Sequence, residues 1–187
     1  MSQTRILALV GSLRSASVNR QLAETATELA PEGAEVVIYE GLAEVPFYNE
    51  DIDGDNAPAA AVALREAGAA AAAVVLFTPE YNGTLPAVLK NAIDWLSRPY
   101  GAGAIAGKPV AVVSASPSSN AAKWALEDAV KAVGIAGGKI VEDSSLSVGQ
   151  TIGKFGEGHP REHAETAGRL TEVLVKLVAA DKALVDA

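Results

Sequence analysis

The sequence predicts an α/β fold, a parallel sheet of five strands with helices on both faces. Three observations carry that expectation. Apolar runs such as Ile6 to Val10 and Ala72 to Phe77 end abruptly at Gly or Thr-Pro, as strands buried on both faces do. Helical patterns separate these runs, and the alternation repeats five times without internal repeats. Such alternation is built from right-handed strand–helix–strand crossovers. The length of 187 residues fits one domain, taken as residues 1–187. Five strands so connected fit the order 2-1-3-4-5, which places a ligand at the carboxyl ends of strands one, three and four.

Each element has a local reason. The first strand, Ile6 to Val10, runs into a polar loop, Gly11 to Ser17. Leu22, Ala26 and Leu29 then recur on one helical face from about Val18, and Pro31 and Gly33 end that helix. Val36 to Tyr39 is the second strand, and Glu44 to Pro58 is a loop rich in Asp, Asn, Gly and Pro. Strong helix formers fill Ala59 to Ala70, followed by the third strand, Ala72 to Phe77. The loop Pro79 to Gly83 opens a helix with Leu85, Val88, Leu89, Ala92, Ile93 and Leu96 at helical spacing. A Gly/Ala loop, Gly101 to Gly107, leads to strand four at Pro109 to Val113. Helix four spans about Ala121 to Val133, and strand five lies near Gly138 to Glu142. A last helix covers about Pro160 to Val185, with Val173, Leu177, Ala180 and Leu184 on one face. The whole reads as a flavodoxin-like three-layer sandwich.

Composition removes several function classes. The formal net charge of −8 lacks the basic footprint that nucleic acid or an anionic membrane requires. Cysteine is absent, which excludes disulfides, Cys-ligated metals and thiol catalysis. Two histidines cannot form a three-His metal centre. No apolar run is long enough for a signal-peptide core or a membrane span, so a cytoplasmic protein is expected. Redox or group-transfer chemistry in such a chain needs a bound cofactor.

The loop after strand one is the most informative. Leu13 and Ala16 stand where a dinucleotide fingerprint needs glycine, and no Gly-Lys-Ser/Thr ending is present. The loop offers Ser12, Ser15, Ser17 and Asn19 as small donors, Arg14 and Arg20 as cations, and a helix N-terminus behind them. Donors converging there make a monophosphate cradle; the plain alternative is a capped turn with solvated arginines. The loop Pro79 to Thr84 either lines a planar ligand with Tyr81 or packs that tyrosine on the core. Its Asn82-Gly83-Thr84 also matches a glycosylation sequon, of little weight without a secretory signal. Asp51, Asp53 and Asp55 imitate a calcium loop, but Asn56 replaces its glycine and Val62 its closing glutamate. His159 and His163 are one helical turn apart, yet Pro160 occupies the glutamate place of a zinc-protease motif. Gly101, Gly103 and Gly107 read as a mobile loop beside the site. Ser114 and Ser116 follow strand four without the Gly-x-Ser-x-Gly elbow of a hydrolase.

Three segments together, GSLRSASVNR from Gly11 to Arg20, TPEYNG from Thr78 to Gly83 and KNAIDW from Lys90 to Trp95, closely resemble the NAD(P)H-dependent FMN reductase family. The resemblance runs from about Arg5 to Val113 and more loosely beyond. It implies a flavodoxin-like enzyme that passes hydride from NADPH or NADH to FMN, and then electrons to quinones, azo dyes, free flavin or metal oxyanions such as chromate. It further implies that Ser12, Arg14, Ser17 and Asn19 hold the FMN phosphate. Pro79, Glu80, Tyr81 and Asn82 would flank the isoalloxazine, mainly through main-chain contacts, and Ser114, Ala115 and Ser116 would approach its other side. Where many relatives have a Gly-Gly pair after strand four, this chain has Ser118-Ser119-Asn120-Ala121. Relatives are typically homodimers or homotetramers; Trp95 packs either at such an interface or in the core. Two alternatives stand beside this reading: a flavodoxin-like FMN electron carrier, and an α/β module without flavin.

Overall fold

The computed structural model describes residues 3–185. Its sheet is parallel throughout, in the order β2-β1-β3-β4-β5. Strand β1 (Thr4–Val10) pairs on one side with β2 (Ala34–Ile38) and on the other with β3 (Ala73–Thr78). Strand β3 pairs in turn with β4 (Pro109–Ala115). This is the expected flavodoxin-like order, with one difference at the far edge. There, β5 (Lys139–Ile140) covers only the start of β4, and a separate β6 (Leu146–Val148) pairs with its end at Val113 to Ala115. Strand five is thus two short pieces, each too brief to leave a periodic signal in the sequence.

Helices cover both faces. α1 (Val18–Glu28) and α6 (Ala164–Val185) lie on one, where Leu22, Ala26, Leu170, Leu174 and Leu177 pack on Ile6, Ala8, Val75 and Phe77. α2 (Ala59–Ala70), α3 (Ala87–Leu96) and α4 (Lys123–Ile135) lie on the other, against Leu7, Leu9, Val74, Leu76 and Val112. Successive residues of β1 and β3 therefore enter different cores, as the pleat requires. A short α5 (Thr151–Phe155) follows β6, and a single 3₁₀ turn at Pro160–Glu162 precedes α6. None of the described helices is long and apolar enough to cross a membrane.

The structure corrects one expectation and decides between two alternatives left open at another residue. The segment Gly101 to Gly107 leads into the amino end of β4, so it lies at the opposite end of the sheet from the loops that follow β1, β3 and β4. It is also packed: Ile105 is fully buried, and Gly107 N–H donates to Gly137 O at 2.8 Å. Gly103 sits so close to Leu96 and Ser97 that a Cβ would fall 2.4 Å from their backbone, which explains the glycine without any ligand. Trp95 is the second case. It is fully buried, donates its indole N–H to Pro46 O at 2.7 Å and stacks edge-on with Tyr48 at 5.0 Å. It belongs to the core, where it anchors the loop after β2.

Candidate active site at the carboxyl end of the sheet

The loops after β1, β3 and β4 meet because their strands are neighbours in register. Val10 faces Phe77 and Thr78 faces Ser114 across the sheet. Gly11 N–H continues the ladder to Phe77 O at 2.7 Å, and Asn19 Nδ2 reaches Ala115 O at 3.1 Å. All eleven residues that the resemblance assigns to the flavin site, Ser12, Arg14, Ser17, Asn19, Pro79 to Asn82 and Ser114 to Ser116, thus sit on or beside three adjacent strand ends.

The loop after β1 leaves its polar groups idle. Ser17 is the N-cap of α1 and buried, yet its hydroxyl makes no cap hydrogen bond. First-turn amides have no partner within a helix, so here they are left facing the loop. The Asn19 Oδ1 is buried without any hydrogen-bond partner. Ser12 is buried too, and Arg14 is exposed and pairs with no carboxylate among the described residues. The exposed Arg14, the Ser12 and Ser17 hydroxyls and the free first-turn amides are donors that an anionic group can use at a helix N-terminus, whereas the Asn19 Oδ1 is an acceptor and offers an anion nothing. Those donors fit a phosphate monoester such as that of FMN. Arg20 does not share in it. Its guanidinium makes two 2.5 Å bonds to Glu40 and a 3.1 Å bond to Glu24. The Glu40 bonds hold it more firmly protonated than an ordinary arginine despite partial burial, with Glu24 adding to the effect. Arg20 in turn holds the Glu40 carboxyl below its usual range. The cation of this loop is Arg14 alone.

The loop after β3 is a tight hairpin. Tyr81 and Thr84 exchange backbone hydrogen bonds of 3.0 and 3.2 Å, and Asn82 and Gly83 between them have φ of 53° and 79°. Two left-handed residues in the centre define a type I′ turn, for which Asn-Gly is the favoured pair. The Asn-Gly signal is legible in the sequence as a hairpin, a stronger reading than a sequon. Pro79 is buried behind the turn, whereas Tyr81 is 48% exposed and does not pack into the core. The Glu80 carboxylate turns away from the loop and reaches the N-terminus of α4.

The loop after β4 is, by contrast, polar but satisfied. Ser114 is fully buried; its hydroxyl donates to Ala121 O at 2.8 Å and meets Ser147 Oγ at 3.0 Å. Ser116 Oγ meets Ser118 Oγ at 2.9 Å, and Ser116 N–H donates to Val148 O. Ala121 and Ala122 both have left-handed φ, 57° and 56°. That backbone favours glycine, and this is the stretch in which the glycine pair is missing.

Beside these loops opens a cleft of about 740 Å³, lined by Gly11, Leu13, Arg14, Phe47, Tyr81 and Val88 among others. Its outer wall is the segment after β2, which sequence reading assigned no role. Asn91 holds that wall: its Oδ1 accepts from Tyr48 N–H at 2.8 Å and its Nδ2 donates to Pro46 O at 3.0 Å. The KNAIDW segment therefore shapes the cleft through Asn91 and Trp95. Behind it Asp53 faces Arg65 at 2.8 Å. Burial pushes that carboxyl up, but Arg65, the Gly54 amide and the Tyr48 hydroxyl together hold it below its ordinary value. A larger groove of about 860 Å³ between α3 and α4 contains none of these eleven residues. His159 and His163 lie elsewhere, the first on Glu24 and the second on Thr166.

Known proteins share this sequence pattern and this fold. The pattern of the NADPH-dependent FMN reductase family matches residues 4–153. A quinone reductase of Pseudomonas putida is 47% identical over 120 residues, 64% of either chain. A 2-hydroxy-1,4-benzoquinone reductase of a Burkholderia species is 41% identical over 112 residues, 60% of either chain. The matches thus span less than two thirds of these relatives' length. Among solved structures, a flavoenzyme NAD(P)H:(acceptor) oxidoreductase of Paracoccus denitrificans superposes with a TM-score of 0.83 at 28% identity, covering 96% of this chain and 97% of that one. With its family pattern matched from β1 through α5, the chain belongs to the NADPH-dependent FMN reductase family.

Proposed function

We propose that the protein is an FMN-dependent NAD(P)H:acceptor oxidoreductase acting on quinones. The observation that supports this reading most is the set of donors without protein partners at the N-terminus of α1: the exposed Arg14, the Ser12 and Ser17 hydroxyls and the first-turn amides. In this reading Arg14 and the first-turn amides of α1 bind the phosphate by charge and by dipole. The main chain of Pro79 to Asn82 borders the flavin ring on one side, and Ser114 to Ser116 border it on the other. Bound FMN would supply the two-electron chemistry between NADPH or NADH and the acceptor, with protons exchanged with solvent, chemistry that belongs to the cofactor. The protein's part is to orient the ring and to offer a slot in which a second planar molecule stacks. Leu13, Phe47 and Tyr81 give the cleft apolar walls suited to such molecules. No side chain need act as acid or base.

Quinones head the acceptor list because the named curated relatives are quinone reductases. Azo dyes, free flavin and metal oxyanions such as chromate are further acceptors in the same proposal. A homodimer or homotetramer is also part of it: Tyr100 and Ile135, 90% and 76% exposed, flank the groove between α3 and α4 and offer apolar surface to a second copy. A cytoplasmic location, where reduced nicotinamide is made, completes the reading.

The test is a visible spectrum of protein loaded with FMN, before and after anaerobic NADPH or NADH. Bleaching of the flavin band, reversed by a quinone, is expected. A fully loaded flavin left oxidised overturns the reductase reading. Reduction only by one-electron donors, with no nicotinamide turnover, assigns the protein to the electron carriers.

A further inference from the structure

Helix α4 begins without a cap of its own. Its N-cap position is Ala122, whose side chain accepts nothing and whose φ of 56° follows an equally left-handed Ala121. The missing acceptor comes from another loop. Glu80 Oε2 accepts from Trp124 N–H at 3.1 Å, Ala125 N–H at 3.3 Å and Asn120 Nδ2 at 3.4 Å. A carboxylate is the best group for that place, because it meets both the free amides and the positive end of the helix dipole. A second tie lies one turn further on, where Thr84 Oγ1 donates to Asp128 Oδ2 at 2.6 Å. The ring of Trp124 closes over the turn between these ties: a Cβ on Gly83 would sit 3.7 Å from it.

The loop after β3 therefore grips the first turns of α4 at both its ends. The other side of that junction is equally tied down, with Ser114 Oγ on Ala121 O and Gln150 N–H on Ser118 O. These two loops border the proposed flavin slot. We propose that Glu80 is a positioning residue that sets the width of this slot, by clamping the loop after β3 to the loop between β4 and α4. Its side chain acts through the helix end and leaves only its main chain to face the ring. The proposal rests on the FMN reading above and adds a role for the Glu80 side chain.

Two substitutions separate reach from charge. Glu80→Gln keeps an acceptor at the same distance and removes the charge; Glu80→Asp keeps the charge and is one methylene short of the α4 amides. Amide exchange of Trp124 and Ala125 in the apoprotein reads the clamp, and FMN titration with the bound flavin's absorption shape reads the slot. In E80D the two amides are expected to exchange about tenfold faster and FMN to bind about tenfold more weakly, with an absorption shape closer to that of free FMN. In E80Q both readouts are expected to stay within about threefold of wild type. Faster exchange in E80D with wild-type FMN affinity and spectrum reduces Glu80 to a stabilising cap and overturns the proposal. An effect in E80Q with none in E80D overturns it in favour of a direct charge effect. Wild-type protein that takes up no FMN overturns the flavin reading itself, a failure distinct from wild-type uptake with an indifferent E80D.

Discussion

The loops after β1 and β4 lie at the carboxyl end of one sheet, on either side of β3, and both are rich in serine and asparagine. They differ in what those residues do. After β4, the hydroxyls of Ser114, Ser116 and Ser118 have protein partners, and Asn120 reaches Glu80. After β1, Ser17 caps nothing, Asn19 Oδ1 is buried without a partner, and Arg14 pairs with no carboxylate among the described residues. Because leaving a buried polar group unpaired costs about 1–3 kcal/mol, idle groups persist in a fold chiefly where something else satisfies them. The same residue types thus serve as scaffold in one loop and stay open to a ligand in the other, the loop to which the proposed function assigns the FMN phosphate.

Four substitutions break or sharpen that contrast. The largest effect is expected from Arg14→Ala, which removes the one free cation of the loop after β1. FMN affinity should fall by about 100-fold, the worth of a charge-assisted contact, while urea unfolding of the apoprotein shifts by less than about 0.5 kcal/mol. Ser114→Ala should do the reverse. It strips the buried Ala121 carbonyl of a donor and should lower stability by about 1–3 kcal/mol, with FMN affinity falling by no more than about tenfold as this tie beside the slot is lost. Asp53→Asn tests a satisfied group behind the cleft wall. Its folded-state carboxyl is depressed, so its contribution is present above the unfolded value of about 3.9 and fades as pH falls through the lower folded value. At pH 7 the variant should be less stable by about 1–2 kcal/mol, and stability curves for the two proteins should converge in acid. The smallest change is Ala121→Gly. Relief of a left-handed alanine, partly offset by backbone entropy, should raise thermal stability by about 0.5–1 kcal/mol.

Local pattern carried much of this structure. The strand order, the helix Ala59–Ala70 and the convergence of three loops follow from apolar runs and their terminators, and the structure has them. The two-part edge strand did not show, because pieces of two and three residues have no period. Trp95 was ambiguous for another reason: an aromatic at helical spacing looks the same in a core and at an interface, and only its partner Pro46, far away in sequence, decides. Arg20 looked like a ligand cation beside Arg14. Its neutralisation by Glu40 depends on β2 packing beside β1, which composition cannot reveal. The glycine segment Gly101 to Gly107 was misplaced beside the site, since motif density says nothing about which end of a strand it adjoins. Nor could the cap on α4 be seen locally, because Glu80 stands more than forty residues before the amides it serves.

In the proposed function the free donors after β1, Arg14 foremost, hold a phosphate monoester carried on a flavin. Titrating the apoprotein with FMN and, separately, with riboflavin tests this most directly, since the two differ only in that phosphate. The account predicts that FMN quenches on binding with an affinity at least about 100-fold higher than riboflavin, and that the gap closes in Arg14→Ala. Equal affinity for the two flavins in the wild-type protein would contradict it.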